Sequence, residues 1–66
     1  MIQVTRLKGE EIFINVDRIL FIERTPDTTI ILDNGQRVMV QQSPAELVES
    51  IVAFRKRIMD LNVQES

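Results

Sequence analysis

The sequence predicts an α+β domain in which an antiparallel, five-stranded, curved meander sheet is followed by one C-terminal helix. Asn34-Gly35 lies between two apolar segments, as in a two-residue hairpin loop of type I′, which needs positive φ at both central positions. Ser43 and Glu46 have the spacing of a capping box, and Pro44 stands at the first helical position. A hairpin that leads directly into a helix is therefore expected.

The strands are predicted from short apolar segments that alternate with turn residues. Lys8-Gly9 is typical of the first turn, and Pro26 followed by Asp27 is typical of a later one. The expected strands are 2–7, 11–15, 19–24, 28–33 and 36–41. A short turn is expected between the second strand and the third.

The helix is expected over residues 44–61, within a single domain of residues 1–61 that is followed by a flexible C-terminal tail, 62–66. Its apolar residues recur at spacings of three and four, which is typical of a helix that packs one face on a sheet. The expected apolar stripe is Leu47, Val48, Ile51, Val52, Ile58 and Met59, with Phe54 at its edge.

Both faces of the predicted sheet carry apolar side chains. A two-residue loop pairs Ile31 with Val38 and Ile30 with Met39. One face then carries Ile31, Val38 and Val40, and the other carries Ile30, Leu32 and Met39. A single helix about 25 Å long covers only one face, and an exposed apolar face of this size usually marks an interface. We therefore expect a homo-oligomer, or a sheet that docks on a partner.

The composition bounds the classes of function. The 66 residues make one domain, and 44% hydrophobic with 27% charged residues is typical of a folded globular protein. The chain contains neither Cys nor His, which removes disulfides and the commonest zinc ligand and general base. No signal-peptide pattern is visible, and the longest apolar run, residues 19–22, is far below the ~20 residues of a membrane helix. We expect a cytoplasmic protein without a cofactor.

Catalysis is not expected from the remaining candidate residues. Ser43 and Ser50 are the internal serines, and neither has a histidine to activate its hydroxyl. Ser43 is instead explained as the helix cap. Glu10 and Glu11 are adjacent on a strand, so their carboxylates point to opposite faces and do not easily share a ligand. The chain is therefore expected not to be an enzyme.

Nucleic-acid binding is the alternative function that the sequence leaves open. Arg55-Lys56-Arg57 is the only run of cations, and it also suits the C-terminal end of a helix dipole. The net charge of −2 and the lack of Tyr and Trp weigh against a nucleic-acid surface. A small nucleic-acid-binding regulator would need further arginines to converge with this run on one face. These are Arg6, Arg18, Arg24 and Arg37.

Residues 25–28, here named the rim, form a surface turn with small polar groups. Their ordinary interpretation is a hairpin connection. Their functional interpretation is a recognition tip, because binding residues often lie on loops that a rigid scaffold holds. We expect protein contacts at the rim and on the apolar sheet faces. The expected contact residues are Phe13, Thr25, Pro26, Asp27, Thr28 and Met39. A further interpretation is a structural subunit that only assembles a larger ring.

Several short motifs occur in the order of a known family. They are Met1-Ile2-x-Val4-Thr5-Arg6-Leu7-x-Gly9, Asn15-x-Asp17-x-Ile19, Phe21-Ile22-Glu23-x-Thr25-Pro26-Asp27-Thr28 and Ile30-x-Leu32-x-Asn34-Gly35. Over residues 1–58 the chain resembles the small bacterial flagellar proteins called FlbD, known in swarming bacteria as SwrD. Lys8 stands where Asn is expected in a Leu-Asn-Gly turn, which is a substitution within a turn.

The resemblance implies a non-enzymatic, cytosolic protein that is encoded among flagellar genes. It implies a role in swarming motility, in which the protein raises the power of the flagellar motor through the stator. The expected partners are a second copy of the chain and a motor or stator component, with the protein lying peripherally at the motor base. The same name is shared with an unrelated transcriptional regulator that has an ATPase domain and is far longer.

Overall fold

The computed structural model of the chain describes residues 1–65, and it describes the side chains of residues 1–58. It contains five antiparallel strands, a short 3₁₀ helix and one C-terminal α-helix. They are β1 (Ile2–Thr5), β2 (Glu11–Ile14), the 3₁₀ helix (Val16–Arg18), β3 (Ile19–Glu23), β4 (Thr29–Leu32), β5 (Arg37–Met39) and α1 (Pro44–Glu65). The predicted α+β class is confirmed.

The five strands are divided between two sheets. β1 pairs with β2 in one sheet, and β3, β4 and β5 lie in that order in the other. A continuous meander would place β2 beside β3, but a 3₁₀ helix capped by the Asn15 side chain turns the chain between them. The sheets meet instead where Arg6 and Val40 form an antiparallel bridge. One continuous sheet was expected, so this part of the prediction is corrected.

The junction between the two sheets is held by Thr5, Gln41 and Gln42. The backbone N–H of Gln41 donates to the Thr5 carbonyl oxygen over 2.8 Å. The Gln42 side chain is bidentate, because its Oε1 accepts the Thr5 N–H at 3.0 Å and its Nε2 donates to Thr5 Oγ1 at 3.1 Å. Ser43 follows as the helix cap: its Oγ accepts the Glu46 N–H at 3.2 Å and donates to Glu46 Oε1 at 3.3 Å. Ser43 is confirmed as the helix cap, whereas Glu46 bonds the Ser43 hydroxyl rather than the Ser43 N–H that a full capping box would use. The junction fixes where α1 leaves the sheets.

The β4–β5 hairpin has a three-residue loop. The Leu32 N–H donates to the Gln36 carbonyl over 2.9 Å, and the Gly35 N–H donates back to the Leu32 carbonyl over 2.9 Å. Gly35 has a φ of +87°, whereas Asn34 does not have positive φ. This is a type I turn followed by a left-handed glycine, which forms a G1 bulge. The type I′ expectation is therefore wrong. The β1–β2 hairpin has the same arrangement at Gly9, whose φ is +99°.

The longer loop shifts the pairing of β4 and β5 by one residue. Ile30 lies opposite Val38 rather than Met39, and Ile31 lies opposite Arg37. Because side chains alternate along a strand, a one-residue shift moves every β5 side chain to the other face. Ile30 and Val38 consequently face the core, with 0% and 4% exposure, whereas Met39 is 47% exposed. The expected division of apolar residues between the faces is wrong for β5.

A β-bulge interrupts the alternation in β3. The pairing with β4 is irregular between Ile19 and Phe21, so Leu20 is the extra residue. Leu20 and Phe21 are both exposed, although they are neighbours in a strand. Ile22 then returns to the core side, where it is half-buried. The bulge thus places two large apolar side chains in succession on the surface.

The core lies between the two sheets and the first turns of α1. Its buried side chains are mostly β-branched and come from both sheets, the 3₁₀ helix and α1. They are Ile2, Val4, Ile14, Val16, Ile30, Val38, Val40 and Leu47. This core closes around the sheet junction, so the positions of the two hairpins relative to each other are fixed by packing as well as by hydrogen bonds.

Only one side of the predicted helical stripe packs on the core. Leu47 is buried, and Ile51 and Phe54 are half-buried against the core at spacings of four and three residues. The other members with described side chains are exposed, namely Val48, Val52 and Ile58. The helix is assigned to Glu65, beyond the expected end at residue 61. The Met59 side chain and the predicted tail, 62–66, lie outside the residues whose side chains the structure describes.

Candidate functional site

Large apolar side chains remain on the surface after the core is filled. Nine such side chains are at least 42% exposed among the described residues. They are Met1, Leu7, Phe13, Leu20, Phe21, Met39, Val48, Val52 and Ile58. Single exposed apolar residues are ordinary on a protein surface, so the informative ones are those that lie together.

The outer face is the name used here for the side of the β3–β4–β5 sheet that points away from the core. Its residues form two rows, which are Phe21, Ile31 and Arg37 in one and Glu23, Thr29 and Met39 in the next. Phe21 and Met39 stand at opposite corners and are 57% and 47% exposed. Glu23 and Arg37 stand at the other two corners. Apolar and charged corners therefore alternate around the face.

The two charged corners reach each other across the central strand. Arg37 Nη2 lies 3.1 Å from Glu23 Oε2, and both side chains are about half exposed. Such a solvated pair stabilises a fold by about 0–1 kcal/mol. Thr29, which lies between them on β4, is only 2% exposed. The middle of the outer face is thus closed, and Phe21 and Met39 are left as two separate apolar sites.

Met39 also faces the loop of the first hairpin. An open groove of about 600 Å³ lies between them, lined by Arg6, Leu7, Lys8, Glu10 and Met39. Leu7 is 44% exposed at this groove and extends the apolar surface beyond Met39. Arg6 and Glu10 form an ion pair of 3.2 Å across the same loop. Met39 therefore has an apolar neighbour on one side and a charged border on the other.

Phe13 belongs to a different surface. It lies on the outside of the β1–β2 hairpin, opposite Gln3, and is 66% exposed. A groove of about 280 Å³ runs from Phe13 between the two sheets, with Leu32 and Val38 on its other wall. The aromatic ring thus offers an apolar contact at the mouth of a groove rather than on the outer face.

The rim is exposed at three of its four positions. Thr25, Pro26 and Asp27 are exposed, and the Thr25–Pro26 peptide bond is cis. Thr28 is 9% exposed, and its carbonyl oxygen accepts the Val40 N–H over 2.9 Å. Thr28 is therefore bonded to the sheet next to β4, and it is largely buried. The other predicted contact residues lie on the surface.

The register brings part of the predicted site together. Met39 lies opposite Thr29, directly after the rim, so the rim and Met39 share one end of the second sheet. Phe13 lies on the other sheet. Sequence reasoning missed Phe21 and the charged corners of the outer face. The charged corners are opposite charges on the two strands that flank β4. They can be predicted to lie on one face only when the register of the three strands is known.

Four of the six arginines of the chain are paired with carboxylates in the described residues. The pairs are Arg6–Glu10, Arg18–Asp33, Arg37–Glu23 and Arg55–Asp17, with N–O distances of 3.1 to 3.6 Å. Each of these positive charges is therefore balanced locally. A nucleic-acid surface needs uncompensated positive charge, so these described contacts do not favour the nucleic-acid alternative.

Within the described chain, no group of three or more acidic side chains is placed to hold a metal ion. The described part of the chain also contains no helix with the length and apolar character needed to cross a membrane. All buried polar side-chain atoms in the described residues have a hydrogen-bond partner.

The chain matches a known protein family over most of its length. Residues 1–59 match the family FlbD, described as flagellar and swarming motility proteins. No curated protein and no solved structure matches the chain. The matched residues include both hairpins, the sheet junction, the rim and α1 up to residue 59. The chain therefore belongs to the FlbD family of flagellar and swarming motility proteins.

Proposed function

We propose that the chain is a non-enzymatic accessory protein of the bacterial flagellum, which supports swarming motility and raises motor power by binding another protein. Membership of the FlbD family gives the motility role. The observation that supports binding is the apolar surface left outside the core, where Phe13 is 66% and Met39 is 47% exposed. The proposed partner is a motor or stator component, contacted from the cytoplasm at the motor base.

The proposed contact site combines the rim with Met39. The Thr28 carbonyl bonds the Val40 N–H at 2.9 Å, so the rim is held by the sheet rather than hanging free. Asp27 supplies a negative charge, while Pro26 and Met39 supply apolar contact at the same end of the sheet. This combination fits a partner surface that presents a Lys or Arg side chain beside an apolar pocket.

Charge reversal at the rim tests this site. Asp27→Arg, expressed from the native locus of a motile strain, is expected to slow or abolish swarm expansion. The purified variant is expected to keep the native melting temperature and molar mass, because the side chain is exposed. Glu49→Arg is the matched control, since it makes the same charge change at an exposed position of α1. The control strain is expected to swarm normally.

Two outcomes would distinguish a wrong contact site from a wrong function. Normal swarming by the double variant Asp27→Arg with Met39→Ser would show that the partner binds elsewhere. Unchanged swarming and unchanged motor torque after deletion of the whole gene would contradict the function itself. Torque is measured from the rotation of tethered cells over a range of viscous loads, so that a loss of power is distinguished from a loss of filaments.

A further inference from the structure

We infer that the outer face binds the same face of a second copy of this chain, about a two-fold axis that runs along the line from Phe21 to Met39. The inference rests on the arrangement of the four corner residues and does not depend on the identity of the flagellar partner. Met39 also belongs to the proposed contact site, so in a dimer the exposed rim residues, Thr25, Pro26 and Asp27, are the part of that site left open to the flagellar partner. A second copy is the expected partner because the charge pattern of the face is complementary to itself under one particular rotation.

The corners of the outer face form a small rectangle. Neighbouring strands lie about 4.8 Å apart and residues on one side of a strand about 6.7 Å apart. The corners are thus separated by about 10 Å across the sheet and about 7 Å along it. Phe21 and Met39 occupy one diagonal, and Glu23 and Arg37 occupy the other.

Four orientations of a two-fold axis in the plane of this rectangle set the two faces against each other with their centres superposed. An axis along or across the strands places Phe21 against the partner's Arg37 or the partner's Glu23. An axis along the charged diagonal places Glu23 against the partner's Glu23, so that like charges meet. An axis along the apolar diagonal places Phe21 against the partner's Phe21 and Met39 against the partner's Met39. It also brings Glu23 within side-chain reach of the partner's Arg37, and this is the orientation that we infer.

The centre of the face is suited to burial. Thr29 lies there with its hydroxyl already donating to the Asp27 carbonyl over 3.1 Å. Closing the face would therefore leave this hydroxyl satisfied, and an unsatisfied buried group is what makes polar burial costly. The Glu23–Arg37 pair is solvated in the single chain, so its partners can exchange across the interface without rebuilding the fold. The strands of the two copies would cross at a steep angle, as in orthogonal sheet packing.

The size of the face sets the strength of the dimer. Three strands form a smaller surface than the ~800 Å² per partner of a standard stable interface. Leu20, which is 58% exposed beside Phe21, enlarges the apolar corner. We therefore expect a dissociation constant in the micromolar range or weaker, about 10⁻⁶ to 10⁻⁴ M. A small domain without disulfides gains stability from such association.

Sedimentation of the full chain over a concentration series tests the inference. The molar mass is expected to rise from the 7.7 kDa of one chain towards twice that value. Phe21→Ser is expected to weaken self-association at least about 30-fold, because it removes both aromatic rings from the contact between Phe21 and the partner's Phe21. Phe13→Ser is the matched control, since it makes the same change at a comparably exposed Phe on the other sheet. The control is expected to associate like the native chain.

Two charge-reversal variants distinguish the loss of the interface from damage to the fold. Glu23→Arg alone and Arg37→Glu alone are each expected to be monomeric, because like charges then face each other. A mixture of the two variants is expected to form a one-to-one dimer, because every facing pair of corners then carries opposite charges. A misfolded variant is not rescued by mixing.

Three results would overturn the inference. The first is a native chain that stays at 7.7 kDa up to about 1 mM. The second is a Phe21→Ser variant that associates as strongly as the native chain. The third is a mixture of the two charge variants that stays monomeric while each variant has a native circular dichroism spectrum. None of these results depends on motility, so a failure here is distinct from a failure of the rim experiment.

Discussion

Arg37 contacts Glu23 over 3.1 Å although β4 lies between their strands. Most cross-strand pairs join residues of adjacent strands, whereas this one joins the two outer strands of a three-stranded sheet. The contact depends on two registers at once, that of β3 with β4 and that of β4 with β5. It also leaves the apolar corners of the outer face, Phe21 and Met39, on opposite sides of the pair.

The coupling energy of this ion pair is expected to be small. A double-mutant cycle with Glu23→Ala and Arg37→Ala should give about 0–1 kcal/mol, since both side chains are about half exposed. The coupling should fall in about 0.5 M salt because exposed charges are screened. Urea unfolding at micromolar protein concentration measures it. A coupling above about 2 kcal/mol would mean that the pair is better shielded from water than the structure indicates.

Leu47 is expected to carry the attachment of α1 to the sheets. It is 1% exposed, so Leu47→Ala should lower the free energy of unfolding by about 2–5 kcal/mol. Val48→Ala, at a neighbouring position that is 52% exposed, should cost less than about 1 kcal/mol. Urea denaturation followed by circular dichroism compares the two. Equal losses would contradict the assigned packing face of the helix.

Gln42 is expected to matter more than its neighbour Gln41. Gln42→Ala removes both side-chain hydrogen bonds to Thr5, of 3.0 and 3.1 Å, and should cost about 1–3 kcal/mol. Gln41→Ala removes one exposed contact of 3.3 Å to the Leu7 carbonyl and should cost less than about 0.5 kcal/mol. Amide hydrogen exchange at the Thr5 N–H is a direct readout, because that group should exchange faster only in the Gln42 variant.

Gly35 is expected to be required for its backbone conformation. Its φ is +87°, and nothing lies within 4 Å of a Cβ placed on it. Gly35→Ala should therefore cost about 1–2 kcal/mol through backbone strain rather than collision. Gly35→Asn is the matched comparison, since Asn tolerates the left-handed region better than Ala. Thermal unfolding should place the Asn variant between the native chain and the Ala variant, and an Ala variant as stable as the native chain would contradict the assigned loop.

The fold class and the start of the helix could be predicted because their determinants are local. Ser43 and Glu46 are three positions apart, and their hydrogen bonds form within one turn of helix. The register of β5 could not be read in the same way. A two-residue type I′ loop and a three-residue loop with a G1 bulge both accommodate Asn34-Gly35. The difference of one residue decides whether Val38 or Met39 enters the core.

The candidate site was predicted in part for similar reasons. Asp27 follows a proline in a turn, so its exposure follows from local sequence. Thr28 is buried where its carbonyl oxygen accepts the Val40 N–H, and no local sequence pattern predicts this hydrogen bond. The exposure of Phe21 depends on the bulge at Leu20, which packing decides rather than residue type. The sequence therefore predicted that more apolar side chains are present than the core can bury, but it did not predict where on the surface they lie.

The hydrogen bonds between Thr5 and Gln42 span 37 positions of the chain. The first hairpin precedes the second sheet along the chain, and the residues that join the two sheets, Val40 and Gln42, follow β5. Gln42 is followed along the chain by the helix cap, Ser43, and by α1. Contacts between positions this far apart raise the contact order of a fold, and a higher contact order slows folding. The first hairpin therefore completes its part of the core only when the chain extends at least to Gln42, and we expect the two sheets to fold together rather than one after the other.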